Sequence, residues 1–299
     1  MKPVDLLLTG LAPAIWGSSY IVTTGLLPGH SPLLVALLRA LPAGLFLLLI
    51  VRQLPPANWL LRLAILGALN FSLFWTLLFV SAYRLPGGVA ATLGAVQPLL
   101  VVFLSTLVLQ LPLRVHAIVA AFLGLVGVAL LVLTSKAASD PIGVLAGLGG
   151  AGSMALGVVL TRRWQPPVPP LTFTAWQLTA GGILLLPVAG WSLQDWPTLD
   201  AKNLLGLTYM SLIGGALTYI LWFRGISRIE PATVSLLGVL SPLSAVLLGW
   251  AMLGEMLSPA QIAGAVLALF SIWLGQSGLT WPRLRRSEHL SQHRGRRSV

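Results

Sequence analysis

Apolar residues run along this chain in long unbroken blocks, not in the short alternation of strands or the half-polar stripes of surface helices. A hydrocarbon core of about 30 Å is crossed by about 20 helical residues. Ten blocks reach roughly that length: residues 4–27, 33–51, 59–82, 88–109, 115–133, 142–161, 171–189, 203–223, 231–253 and 259–278. The Leu/Ala/Gly-rich runs predict helices and not a transmembrane barrel, whose strands would alternate. The connections are short, so no soluble domain is inserted. Helix 1 is too long for a signal-peptide core, and no small-x-small cleavage site follows it, so it is expected to remain in the mature chain. The last residues, 281–299, are rich in arginine and read as a disordered tail.

Composition sharpens this picture. Of 299 residues, 57% are hydrophobic and 8% charged, against about 25% charged in soluble domains. Too few charges remain to solvate a globular surface, which excludes a soluble enzyme, a disordered chain and a nucleic-acid-binding domain. The net charge of +11 reads as membrane topology. One side carries Lys2, Arg52, Arg62, Arg114, Arg162, Arg163, Arg224, Arg228 and the six tail arginines; the other carries Arg84, Lys136 and Lys202. Basic loops stay in the cytoplasm, so both termini are expected there, in a multi-pass protein of the inner (plasma) membrane whose tail can meet anionic lipid. The sequence contains no cysteine, which removes disulfides, thiol catalysis and cysteine-bound metals.

The chain also repeats itself. Residues 84–98 (RLPGGVAATLGAVQP) and 228–242 (RIEPATVSLLGVLSP) match without gaps at Arg84/Arg228, Leu93/Leu237, Gly94/Gly238 and Pro98/Pro242. Upstream, Pro32–Leu33 matches Pro170–Leu171, and Gly44 matches Gly182. Helices 1–5 thus correspond to helices 6–10. Five is odd, so the halves cross the membrane in opposite senses, an arrangement that secondary transporters use to build a site near the midplane. The expected fold is an all-α membrane protein: two inverted five-helix repeats, residues 4–134 and 142–279, around a central cavity.

Several motifs carry a resemblance. They are Trp16-Gly17-Ser18-Ser19 in helix 1, Pro32 through Arg39 in helix 2, Arg228-Ile229-Glu230-Pro231-Ala232, Leu240-Ser241-Pro242 and Gly254-Glu255. In this order, over ten spans, the chain resembles the EamA-type transporters of the drug/metabolite transporter superfamily. The resemblance implies export or exchange of small metabolites, with an aromatic amino acid exporter as the nearest likeness. The first half departs from the pattern, with Gln110-Leu111 where the second has Gly254-Glu255, so no shared coupling role is carried over to that pair.

Polar residues mark the candidate site. Helices 5 and 10 have few, so they face lipid or another subunit; Ala120-x-x-x-Gly124 and Gly264-x-x-x-Ala268 allow close helix approach, expected within a monomer ahead of a dimer interface. Pro98 and Pro242 sit near the middle of helices 4 and 9. Each removes a helical hydrogen bond and frees the carbonyl four residues back, on Gly94 and Gly238. These four residues are candidate hinges, read either as ordinary kinks or as kinks lining the site. Trp16, Tyr20, Asn70, Gln97, Tyr219 and Ser241 are the candidate substrate-binding residues; for the aromatic ones, plain packing is the competing reading. Arg39 is the one ionisable residue well inside a span. It either snorkels, bonds backbone carbonyls or binds a substrate carboxylate. Glu255 precedes a capping sequence for helix 10 and reads as structural.

All seven carboxylates and all four histidines lie at helix ends or in loops, so no mid-membrane proton relay, intramembrane catalytic base or metal motif is visible. No cofactor is implied. The function expected is secondary transport of neutral or zwitterionic metabolites, amino acids foremost, by alternating access, with a passive small-solute pore or an exporter of another substrate class as the alternatives.

Overall fold

The computed structural model describes residues 3–110, 112, 115–133, 140–192, 198–226, 228–229, 237–238 and 240–277. They are helical with short connections and contain no strand. We number the helices α1 (Pro3–Leu26), α2 (Pro32–Val51), α3 (Ala57–Arg84), α4 (Gly87–Leu109), α5 (Val115–Leu133), α6 (Pro141–Trp164), α7 (Pro170–Ser192), α8 (Ala201–Gly225), α9 (Leu240–Leu253) and α10 (Pro259–Ser277). Seven of these, among the described residues, are long and apolar enough to cross a bilayer; α5, α9 and α10 contribute shorter apolar stretches. The predicted start of helix 9, at 231–236, and the basic tail lie outside the described residues.

Contacts at the helix ends fit ten alternating crossings. On one side Asp5 of α1 pairs with Arg224 and Arg228 at 2.8 and 3.6 Å, and the Trp176 indole donates to the Gln53 carbonyl at 2.6 Å. On the other side the Tyr83 hydroxyl donates to the Leu27 carbonyl at 2.6 Å, Arg84 pairs with Asp140 at 3.0 Å, and the Gly87 N–H donates to Glu255 at 3.1 Å. Asp140 caps α6 by accepting from the Gly143 N–H at 2.9 Å, and Asp200 and Asn203 form a reciprocal capping box at the start of α8.

The two halves pack as pseudo-equivalents. α1 lies on α8 and α9; α6 lies on α3 and α4. α2 crosses α7, and α5 crosses α10. The repeat-matched glycines sit at the first crossing. A Cβ on Gly44 would stand 2.5 Å from the Thr179 nitrogen, and one on Gly182 would stand 2.7 Å from Leu41 Cα. Each half thus supplies the missing side chain that lets the other's backbone approach. At the second crossing, a Cβ on Gly127 would be 2.7 Å from the Gly264 carbonyl oxygen and the Ala268 nitrogen. The small-residue faces of α5 and α10 therefore meet within one chain. Their opposite faces expose Ile118, Phe122, Leu125, Ile262, Val266 and Phe270, as lipid contact requires.

One feature was not foreseen from the sequence. After a 3-10 turn, Ala57–Trp59, in α3 and directly in α8, eight α-helical residues widen into π-helical turns, Ala68–Leu73 and Tyr209–Leu217. The wider turn shifts the hydrogen-bond ladder and releases backbone carbonyls to side chains. The Leu69 carbonyl accepts from Ser153 at 2.7 Å. The Gly214 carbonyl accepts from Thr218 at 3.0 Å and from Arg39 at 3.0 Å.

Candidate functional site

Arg39 organises the centre. It lies on α2 and is 3% exposed. Its Nη1 donates to the Ser19 hydroxyl at 3.2 Å and its Nη2 to the Gly214 carbonyl, while Nε has no partner. The guanidinium stacks 4.4 Å above the Trp75 ring and 5.8 Å from Phe79. No carboxylate pairs with it among the described residues. It is thus a buried cation held by a hydroxyl, a backbone dipole and an aromatic face. Of the three readings for Arg39, snorkelling does not describe this geometry; bonding to a backbone carbonyl does, and Nε still has an unused donor.

Trp16 of α1 reaches the same region from the other side. Its indole N–H donates to Thr218 Oγ1 at 2.9 Å. Its ring lies 5.7 Å from Tyr219 and 5.4 Å from Trp222, and Tyr219 meets Phe71 at 5.9 Å. Thr218 is fully buried. Its hydroxyl receives the Trp16 proton and donates to the carbonyls that the π-turn of α8 releases. A chain of polar contacts therefore runs from Trp16 through Thr218 and Gly214 to Arg39. Beside it, Ser18 and the Tyr209 hydroxyl share a hydrogen bond of 2.6 Å.

Tyr20, buried, lies between Arg39 and a small cavity. The cavity is lined by Tyr20, Phe74, Leu78, Ser81, Ala90, Gly94, Gly147 and Gly150. Gly94 ends a helical segment of α4, Gly87–Gly94; a new one starts at Gln97. The interruption at Ala95–Val96 places Pro98 in the first turn of the second segment, so the N–H that a continuous helix would give to the Gly94 carbonyl is missing at the break itself. The Gly94 carbonyl loses its helical donor because Pro98 has no N–H. Just ahead of α9 the Gly238 carbonyl accepts from the Ser241 N–H at 3.2 Å, and Pro242 is buried in the first turn of α9.

Trp16, Tyr20, Arg39 and Tyr219 are thus brought into one region of α1, α2 and α8, closed by Phe71 and Trp75 of α3. Asn70 points elsewhere. Its Nδ2 donates to Gln177 Oε1 of α7 at 2.6 Å, and its amide packs on Gly157 of α6. Gln97 is half-buried at the break in α4, and Ser241 is half-buried at the start of α9; the Ser241 carbonyl accepts from Ser244 at 3.1 Å. Trp75, Ser81 and Gln177 were not singled out from sequence. A Trp in mid-span, away from both interfacial belts, was the available sign for Trp75.

The sequence pattern of the EamA-like transporter family matches the chain twice, over residues 5–133 and 141–275. The chain belongs to the EamA-like transporter family. The two matches coincide with the two five-helix halves. Across 285 residues the chain is 45% identical to the protein PecM of Dickeya dadantii, covering 94% of this chain and 95% of that one. It is 30% identical to the inner membrane transporter YedA of Escherichia coli K12, covering 87% and 86% of the two chains. One solved crystal structure matches with a TM-score of 0.63 at 18% identity, over 93% of this chain and 98% of the other, which shows the shared fold. By its family the chain is a membrane transporter and not an enzyme.

Proposed function

We propose that this transporter carries neutral or zwitterionic metabolites, amino acids foremost, and that Arg39 receives the substrate carboxylate. The observation that carries the reading is the buried guanidinium with no acidic partner among the described residues and a free Nε donor. A desolvated cation held only by neutral dipoles and an aromatic ring gains from any anion that joins it during the cycle. Sugar phosphates and nucleotide sugars need several cations, whereas Arg39 is the single one well inside a span, the others lying at span ends or in loops. The aromatic wall of Trp16, Phe71, Trp75 and Tyr219 suits an apolar or aromatic side chain.

Movement follows from the symmetry. The breaks at Gly94–Pro98 and Gly238–Pro242 lie at matched points of the two halves, so α4 bends to open one side and α9 the other. The carboxylates lie at helix ends, so the cycle runs as exchange or facilitated diffusion down the substrate gradient. Both termini face the cytoplasm, by the distribution of Lys and Arg between the loops.

Counterflow in proteoliposomes tests this. Vesicles preloaded with unlabelled L-phenylalanine should accelerate entry of labelled L-phenylalanine, and Arg39→Gln should abolish the effect. Flux without exchange stimulation would indicate a pore, and tight competition by a nucleotide sugar would overturn the substrate class.

A further inference from the structure

At the arginine-rich end of the bundle, the start of α3 meets the ends of α4 and α6. Trp59 lies in the first turn of α3, buried edge-on against Phe173 of α7 with ring centroids 5.8 Å apart. Trp164 is the last residue of α6 and packs into the same cluster. Arg62, three residues beyond Trp59, reaches both. Its guanidinium carbon is 5.1 Å from the Trp59 ring and 5.8 Å from the Trp164 ring. Indole rings at helix ends sit at the depth of the lipid headgroups, so this guanidinium is held at the level of the phosphates.

A cation–π contact uses the charge of a guanidinium, while its N–H groups radiate in its own plane and remain available. Arg62 is exposed. The described carboxylates that form ion pairs, Asp5 and Asp140, are taken by Arg224, Arg228 and Arg84, so none pairs with Arg62. Arg163 adjoins Trp164 and is also exposed; its Nη1 donates to the Val108 carbonyl, in the last turn of α4, over a long 3.4 Å. Like charges gathered without a counter-charge repel, and an anion shared between them relieves that repulsion. Deeper in the membrane the surface turns apolar. Ile65, one turn beyond Arg62, and Val158, one turn before Arg162, are both exposed on helices that pack together.

We propose that Arg62 and Arg163, backed by Trp59 and Trp164, bind the phosphate of an anionic phospholipid, whose acyl chains run along Ile65 and Val158. The two guanidinium groups match a phosphate through charge-assisted, bidentate hydrogen bonds. Arg62 belongs to the first half of the chain and Arg163 to the second, so the bound lipid ties the two halves together at this end.

Native mass spectrometry of the full-length protein in detergent micelles tests this, with dioleoylphosphatidylglycerol and dioleoylphosphatidylcholine titrated in turn. The lipids share their chains and a phosphodiester and differ in net charge. Phosphatidylglycerol should bind about tenfold more tightly, and Arg62→Gln should remove about that factor. Arg62→Lys keeps the charge without the planar fork and should restore only part of it. Trp164→Leu keeps every charge but removes one aromatic face, and should weaken phosphatidylglycerol while sparing phosphatidylcholine. Arg52→Gln removes a charge at the same end, where no aromatic face meets the guanidinium among the described residues, and should change nothing. Equal binding of the two lipids, or equal losses in Arg62→Gln and Arg52→Gln, would reduce the patch to a diffuse positive surface and overturn the site. If glycerol 3-phosphate binds as tightly as phosphatidylglycerol, the arginines take a soluble phosphate and the lipid assignment falls.

Discussion

Replacing Arg39 by methionine separates a functional arginine from a structural one. In the structure its charge makes two hydrogen bonds, to Ser19 and to the Gly214 carbonyl, and one stacking contact with Trp75. Bonds to a charged group contribute about 1.5–3 kcal/mol each, and a desolvated cation–π contact about 2 kcal/mol. Against these stands the desolvation of an ion without a counter-charge, several kcal/mol after relaxation. The two sides nearly cancel. Methionine fills the stem volume, and the Gly214 carbonyl keeps its donor from Thr218, so no backbone acceptor is orphaned there. Thermal unfolding of the detergent-solubilised variant should therefore shift by no more than about 2 kcal/mol in either direction. Substrate binding should suffer far more. Losing a charge-assisted contact of about 1.5–3 kcal/mol weakens affinity roughly 10- to 100-fold. Tryptophan fluorescence during heating and binding of labelled L-phenylalanine to the same preparation measure both quantities. A stability loss of about 3–5 kcal/mol, the signature of a broken buried polar network, with binding of phenethylamine, which lacks the carboxylate, lost in parallel, would show Arg39 to be a strut.

Three other outcomes follow. Gly44→Ala and Gly182→Ala should each destabilise the protein by about 1–3 kcal/mol, because both Cβ atoms would enter the α2–α7 crossing; near-neutral effects in thermal unfolding would mean the crossing can widen freely. Pro98→Ala and Pro242→Ala should preserve folding and slow counterflow more than they weaken binding, since each supplies an N–H that can rejoin the helical ladder; normal rates in both would remove the hinges. At Asp140 the Gly143 N–H, and then the Arg84 guanidinium, hold the carboxyl below the usual aspartate range. A depressed folded pKa means that this cap's contribution is present above the unfolded pKa and fades as pH falls through the folded one. Acid-induced loosening of the α6 start, followed by hydrogen exchange, should therefore appear only below the ordinary aspartate range and be absent in Asp140→Asn.

Much of this molecule was legible without its fold. Hydropathy is a local property, and bilayer thickness sets the length of each span, so among the described residues the helices announced themselves with boundaries shifted by a few residues, apart from the predicted start of helix 9, which lies outside them. The proline–glycine pairs marked the α4 break one turn from where it occurs, because a missing N–H acts on its own helix. The match of Gly44 with Gly182 likewise carried the symmetry, since close backbone approach tolerates no Cβ at either site.

The site was decided elsewhere. Arg39 meets a carbonyl 175 residues away and Trp16 a hydroxyl 202 residues away. That carbonyl is available only because α8 adopts a π-turn, a choice made by packing among helices and not by local propensity. Asn70 shows the converse. It is polar at mid-span, yet α3 turns it toward Gln177, while Trp75, further along the same helix, faces the arginine. In a helix one residue of rotation is about 100°, so composition names the residues of a bundle, and only the packed neighbours determine which of them share a site.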